Sequence, residues 1–292
     1  MRVLAVGATG QFAGLVVPAL VERGLQVRAL VHDPAKADRA RELGADEAAP
    51  GDLRNRASID AALKGIDAVF HVTPAFAPDS AALGVGMVEA ATAAGVDRFV
   101  FSGVYHPSLS LVNHASMRPI EEALYRSRLE FTVLQPAMFM QGLAGSWNDA
   151  VEHGIFVMPY SKDSAMTFVD YRDVAEVAAR AVADGELVGG TFELAAGGTV
   201  TRTEIAAMMS RHAGRTVVAQ DVEPDVAWRP CRPGRCATGS PQCSATTPRT
   251  ASTAATTSSC APSSAATRER SRATSPNSRP RPETSPSRQE TP

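Results

Sequence analysis

Arg2-Val3-Leu4-Ala5-Val6-Gly7-Ala8-Thr9-Gly10-Gln11-Phe12-Ala13-Gly14 is the stretch that decides the fold. The first five residues read as a buried strand, and the glycines after them as a tight turn. Leu15-Val16-Val17 and Ala19-Leu20-Val21 continue as a helix that stops at Gly24. Gln26-Val27-Arg28-Ala29-Leu30-Val31 reads as the next strand. Strand, glycine turn, helix and strand in this order form a βαβ opening of the kind that holds a dinucleotide. Gly7 lets the chain turn sharply, and Gly10 leaves room for a pyrophosphate against the backbone. Ala13 or Gly14 keeps the helix close to the sheet. The free amides at the helix start then face the phosphates. Gly7, Thr9, Gly10, Gln11 and Phe12 are the cofactor contacts expected from this turn.

Working outward, His32-Asp33-Pro34-Ala35-Lys36 follows the second strand, where such sites select their nucleotide. His32 and Lys36 can receive a 2'-phosphate. Asp33 either opposes it or only caps the next helix. NADPH is the expected cofactor, with NADH as the alternative. A short helix over 35–43 ends at Gly44, and Asp46-Glu47-Ala48-Ala49 is a third strand. Asp52 is placed to accept from the adenine amine and Leu53 to lie on the ring. The competing reading makes Asp52 the cap of a helix over 57–64.

Asp67-Ala68-Val69-Phe70-His71-Val72 is a fourth strand, apolar enough to be central. Val72, Thr73 and Pro74 end it where the cofactor ribose passes. A helix over 79–94 carries the small residues Ala81, Gly84, Ala90 and Ala91, read as permitting close packing on the sheet, and Gly95 caps it. Arg98-Phe99-Val100-Phe101 is the fifth strand, and Ser102-Gly103-Val104-Tyr105-His106 leaves its carboxyl end. Ser102 and Gly103 are expected at the cofactor. Tyr105, His106 and, further on, His114 are the catalytic candidates, although a loop histidine beside a proline can equally be a structural donor. A helix over 117–128 has Pro119 in its first turn, with Glu121 and Glu122 at its positive end.

Phe131-Thr132-Val133-Leu134 is the sixth strand, and Pro136 follows it at the cofactor. Met138, Phe139, Met140 and Trp147 make either a flexible apolar wall of a substrate pocket or ordinary core. Asp170 and Asp173 read as caps and as a partner for Arg172, at the start of a helix over 171–183. A late strand covers 190–194. Thr201-Arg202-Thr203-Glu204 is a capping box for a last helix, and 217–219 form a final strand.

The 292 residues carry a formal net charge of −2, which argues against a specific nucleic-acid binder. No apolar run reaches the length of a membrane helix. Met1-Arg2 runs straight into a strand, so no leader is expected and the cytoplasm is the default location. From Arg229 to Pro292 there is no Val, Leu, Ile, Met, Phe, Tyr or Trp, and all four cysteines, Cys231, Cys236, Cys243 and Cys260, lie there. Their spacing fits neither a paired zinc site nor a disulfide scaffold, so no metal is expected. The expected organisation is a doubly wound, Rossmann-like α/β core with a parallel sheet over 1–135. A small substrate-side α/β region covers 136–228. A tail over 229–292 is either disordered or the product of a shifted reading frame.

These motifs together resemble the NmrA-like branch of the short-chain dehydrogenase/reductases, and within it the NAD(P)H:quinone oxidoreductases. The resemblance rests on Val6-Gly7-Ala8-Thr9-Gly10, Gly51-Asp52-Leu53, His106-Pro107, Leu111-Val112-Asn113-His114, Glu121-Glu122, Leu134-Gln135-Pro136 and Val169-Asp170-Tyr171-Arg172-Asp173. It implies a reductase that passes hydride to a small quinone or conjugated carbonyl. It also implies three departures. The family's nucleotide-selecting arginine falls on His32. The usual Tyr-x-x-x-Lys pair is missing, since Leu109 follows Tyr105 at that spacing. The lysine of related reductases falls on Met117, beside Arg118. A non-catalytic dinucleotide sensor with a regulatory protein partner is the second reading, and a homodimer is compatible with either. Epimerase or dehydratase chemistry is disfavoured by the missing pair.

Overall fold

The computed structural model describes residues 1–74 and 76–221. Six strands alternate with helices: β1 Arg2–Val6, α1 Val16–Glu22, β2 Gln26–Val31, α2 Ala37–Glu42, β3 Glu47–Pro50, α3 Arg56–Ala62, β4 Ala68–Val72, α4 Ser80–Ala94, β5 Arg98–Ser102, α5 Val112–Ala115, α6 Arg118–Arg126 and β6 Glu130–Pro136. After them come β7 Met138–Phe139, α7 Ala144–His153, β8 Ile155–Phe156, β9 Phe168–Val169, α8 Tyr171–Asp184, β10 Thr191–Leu194, α9 Arg202–Ala213 and β11 Val218–Ala219.

The main sheet runs β10-β6-β5-β4-β1-β2-β3, and every pairing is parallel. This is the doubly wound order with β10 added outside β6. Its direction of winding reverses between β1 and β4, so the carboxyl ends of those strands flank a crevice. Side chains alternate across the sheet. Val3, Ala5, Val27 and Ala29 pack under α1 and α8, whereas Leu4, Val69, Phe99 and Phe101 pack under α3, α4 and α6. Both faces are covered, which is why the central strands are mostly apolar.

Two local readings are corrected. The helix expected from Leu15 begins as a 3-10 turn, Ala13–Leu15, and becomes α only at Val16. Pro18 has no amide to give the carbonyl of Gly14, so it sits in the first α turn, where no donor is needed. Gly84 packs against α6 rather than the sheet, because a Cβ there would lie 2.2 Å from Ile120 Cδ1. The final strand read over 217–219 is present as β11, and it pairs with β8.

A third apolar cluster gathers Ala150, Phe156, Phe168, Ile205, Met209 and Val217 from the later elements. Arg202 is fully buried beside it and donates to the carbonyls of Gln220 and Tyr160 and to Asp221. The capping box at Thr201 and Glu204 is formed. The tail expected over 229–292 lies outside the described residues.

Candidate active site

The glycine turn is built as tightly as its sequence requires. Gly7 has φ +79°, and a Cβ on it would stand 2.6 Å from Val72 Cγ1. The Gly10 amide donates to the Gly7 carbonyl at 2.8 Å, and the Gly14 amide to the Gly10 carbonyl at 3.0 Å. A Cβ on Gly14 would meet the Ala8 carbonyl at 3.1 Å, so this glycine lets the start of the helix sit close on the turn. The amides of Gln11 and Phe12 donate to no acceptor among the described residues. Paired free donors at a helix start, over a bare backbone, suit a pyrophosphate. The cradle therefore fits a dinucleotide.

At the tip of β2, Asp33 caps the turn Pro34–Lys36 by accepting from the Ala35 amide at 3.0 Å. It is the cap of the two readings. His32 instead faces Asp52, with Nδ1 3.9 Å from Oδ2. Asp52 does not cap α3; Asn55 does, accepting from the Ser58 amide. The other Asp52 oxygen accepts from the Arg54 amide at 2.9 Å. Leu53 packs at the edge of the α3–α4 side of the core, and Lys36 is exposed.

Beyond β4, Thr73 is buried and its Oγ1 lies 3.3 Å from His71 Nε2. Burial pushes the His71 ring down to about 3, and its Nδ1 has no partner among the described residues. Its ring stacks on Phe101. Pro74 accepts at its carbonyl from Ser80 Oγ at 2.9 Å. At the end of β5, Ser102 Oγ is 3.2 Å from the Tyr171 hydroxyl, and both groups are buried. Burial pushes the Tyr171 phenol up to about 12. The Ser102 side chain thus belongs to the α8 face. Gly103 lies under the Phe101 ring, where a Cβ would meet Cε1 at 3.0 Å.

The loop then turns at His106, which has φ +52°. The Tyr105 amide donates to the Pro136 carbonyl at 3.0 Å, and the Tyr105 and His106 ring centroids are 3.8 Å apart. His106 Nδ1 lies 3.1 Å from Glu193 Oε1 of β10. His114 Nδ1 lies 3.1 Å from the His106 carbonyl oxygen. So the three catalytic candidates are brought together where the loop after β5 meets α5. The sequence reading missed Glu193, which belongs to an edge strand distant in sequence. It also missed Glu121 as a site-edge residue. Glu121 Oε1 accepts from Gln135 Nε2 at 2.9 Å, and burial raises its carboxyl against that hydrogen bond. Met117 is buried one turn before Glu121.

The expected apolar wall divides. Phe139 packs on Phe12 and Tyr171, with centroids 4.8 and 4.7 Å away. Met138 and Trp147 pack on the third cluster, while Met140 is exposed. Asp170 caps α8 through the Arg172 amide at 2.8 Å and pairs with the Arg172 guanidinium. Those bonds, with one from Gln141, hold its carboxyl far below the usual range. Among the described residues no group of side chains could hold a metal ion, and no helix is long and apolar enough to cross a membrane.

A parallel sheet in the doubly wound order, with a phosphate-sized glycine cradle at its switch point, defines a dinucleotide-binding α/β protein. The chain belongs to the NmrA-like family, whose profile matches residues 1–232. It is similar to an NAD(P)H azoreductase of Xenophilus azovorans, 35% identical over 219 residues, covering 74% of this chain and 75% of that protein. A photosystem II assembly factor of Synechocystis is 28% identical over 225 residues, covering 73% and 68%. The crystal structure of an NADPH-dependent quinone oxidoreductase of Escherichia coli, complexed with NADPH, superposes with a TM-score of 0.69 at 26% identity, covering 76% of this chain and 78% of that one.

Proposed function

We propose that the protein is an NAD(P)H-dependent reductase of a small quinone or conjugated carbonyl, with NADPH as the preferred donor. The reading is carried by the glycine cradle at Gly7, Gly10 and Gly14, with its unpaired Gln11 and Phe12 amides. It is supported by the azoreductase and quinone-oxidoreductase names of similar proteins. In this reading Thr9, Gly10, Gln11 and Phe12 hold the pyrophosphate. Val72, Thr73 and Pro74 line the ribose path, and Asp52 and Leu53 receive the adenine. His32 and Lys36 meet the 2'-phosphate, since Asp33 is occupied as a cap. Gly103 and Pro136 border the nicotinamide, and Ser102 acts there through the strand rather than its hydroxyl. The bound dinucleotide supplies hydride. The chain's residues orient the acceptor and stabilise the oxyanion that forms on it. Phe139, Met140, Met138 and Trp147 border the acceptor, although only Met140 of the four is well exposed.

The test is consumption of NADPH, followed by its near-ultraviolet absorbance, with a panel of quinones and azo dyes. NADPH binding without turnover on any acceptor rejects the enzyme and favours the second reading, a dinucleotide sensor acting on a protein partner. That reading is favoured by Met117 in the lysine position and by the assembly-factor relative.

A further inference from the structure

His106 and Glu193 form a pair that stability does not explain. Each side chain is about half exposed, at 49%, and an exposed ion pair contributes little to folding. The backbone at His106 is nonetheless held at φ +52°, a conformation that costs a non-glycine residue free energy. Three contacts hold it there. The Tyr105 amide ties the loop to the Pro136 carbonyl, the His106 carbonyl accepts from the Leu109 amide at 3.1 Å, and the His114 ring lies against the same oxygen. Glu193 comes from β10, and its register partner on β6 is Gln135. Gln135 in turn donates to Glu121, one helical turn beyond Met117. The pair therefore sits at the carboxyl edge of the sheet, on the α6 side, the face that also carries Met117 and Glu121.

We infer that Glu193 is a positioning residue that fixes the His106 imidazole so that its Nε2 delivers a proton to the reduced acceptor. This rests on the reductase reading above. A carboxylate can only accept, so its partner Nδ1 must carry a hydrogen, which leaves Nε2 as the ring nitrogen outside the pair. A quinone gains two electrons and one hydrogen as hydride from the reduced nicotinamide. The oxygen that becomes negative takes a second hydrogen, as a proton, from Nε2 of the doubly protonated ring. The ring is left neutral with its Nδ1–H still on Glu193, and water returns the proton through its exposed edge. The products are a hydroquinone and the oxidised dinucleotide.

Cationic triphenylmethane dyes separate proton delivery from everything else. Hydride alone neutralises such a cation, and no proton is needed. The experiment measures kcat and KM for menadione and for crystal violet, with NADPH, in the full native chain and in Glu193→Gln and Glu193→Asp. The expected result is a menadione-to-dye kcat ratio about tenfold lower in Glu193→Gln, with the KM for NADPH unchanged and the ratio partly restored in Glu193→Asp. His106→Gln should lower menadione kcat about a hundredfold. An equal loss on both acceptors, or no loss on menadione, overturns the inference. Nitrogen-15 spectra of the imidazole read the pair without turnover. The neutral ring should carry its hydrogen on Nδ1 in the native chain and mix tautomers in Glu193→Gln. A Nε2–H ring in the native chain overturns the inference even if reduction is absent. Absence of turnover with the expected tautomer instead counts against the reductase reading.

Discussion

His71 shows how far one residue's chemistry is set by where the strand puts it. The ring lies on central β4, fully buried against Phe101, with the Thr73 hydroxyl 3.3 Å from Nε2. It stays neutral until about pH 3, whereas an exposed histidine protonates near 6.5. The unfolded chain therefore binds a proton that the native chain refuses. Stability is full above 6.5 and falls as the pH drops toward 3, by roughly 1.4 kcal/mol per pH unit. In urea titrations at several pH values, His71→Leu should remove most of that slope; a slope identical to the native one would contradict it. Asp170 acts in a separate window. Its carboxyl is depressed by Arg172, so its contribution is present above the ordinary value of 3.8 and disappears below it. Asp170→Ala loses the cap and the Gln141 tether together. It should cost about 1–2 kcal/mol at neutral pH, and progressively less in acid.

Between elements, α4 approaches α6 closely at Gly84. Gly84 leaves no space for a methyl group beside Ile120. Gly84→Ala should destabilise by about 1–3 kcal/mol through overpacking, despite the better helix propensity of alanine. Adding Ile120→Val shortens the side chain that is in the way. The double variant should then be less unstable than the two single costs summed, as a thermal-unfolding cycle would show. The sequence revealed Gly84 as a small residue but not its neighbour, because helix-to-helix contacts carry no local signal. The same limit separates what was legible from what was not. β1 to β6 and their helices announce themselves by apolar runs bounded by Gly24, Gly44, Gly65 and Gly95. α7 does not, because Gly145, Ser146 and Asn148 break its apolar pattern. The two-residue strands β7, β8 and β9 are too short for alternation to show, whereas β11 falls within the final strand read over 217–219. At the site, the cradle was legible because close approach demands glycine at fixed spacing. Glu193 was not, since an acid on an edge strand reads as solvated until β10 is laid beside β6.

At the scale of the whole sheet, the crevice at the switch point joins the tips of strands from both halves of the winding. Residues 7–12, 32–36, 52–53 and 72–74 come from four successive loops, and nothing but the sheet order sets their spacing. A dinucleotide bound across them bridges those loops, so its binding free energy adds to the stability of the native state alone. At a hundred times its Kd the gain is about 2.7 kcal/mol. NADPH should raise the unfolding temperature more than NADH at equal concentration, because Lys36 and His32 are exposed at the tip of β2, His32 beside Asp52, while Asp33 is engaged in its cap. Equal shifts would reject the preference. Gly10→Asp is the sharper variant. A Cβ there would come within 3.1 Å of the Gly7 carbonyl, which the turn can absorb with a small adjustment. The added carboxylate would stand where phosphate approaches, bringing both bulk and like charge. The variant should keep its circular dichroism and show no thermal shift and no calorimetric heat with NADPH. A shift as large as that of the native chain would place the dinucleotide elsewhere on the molecule.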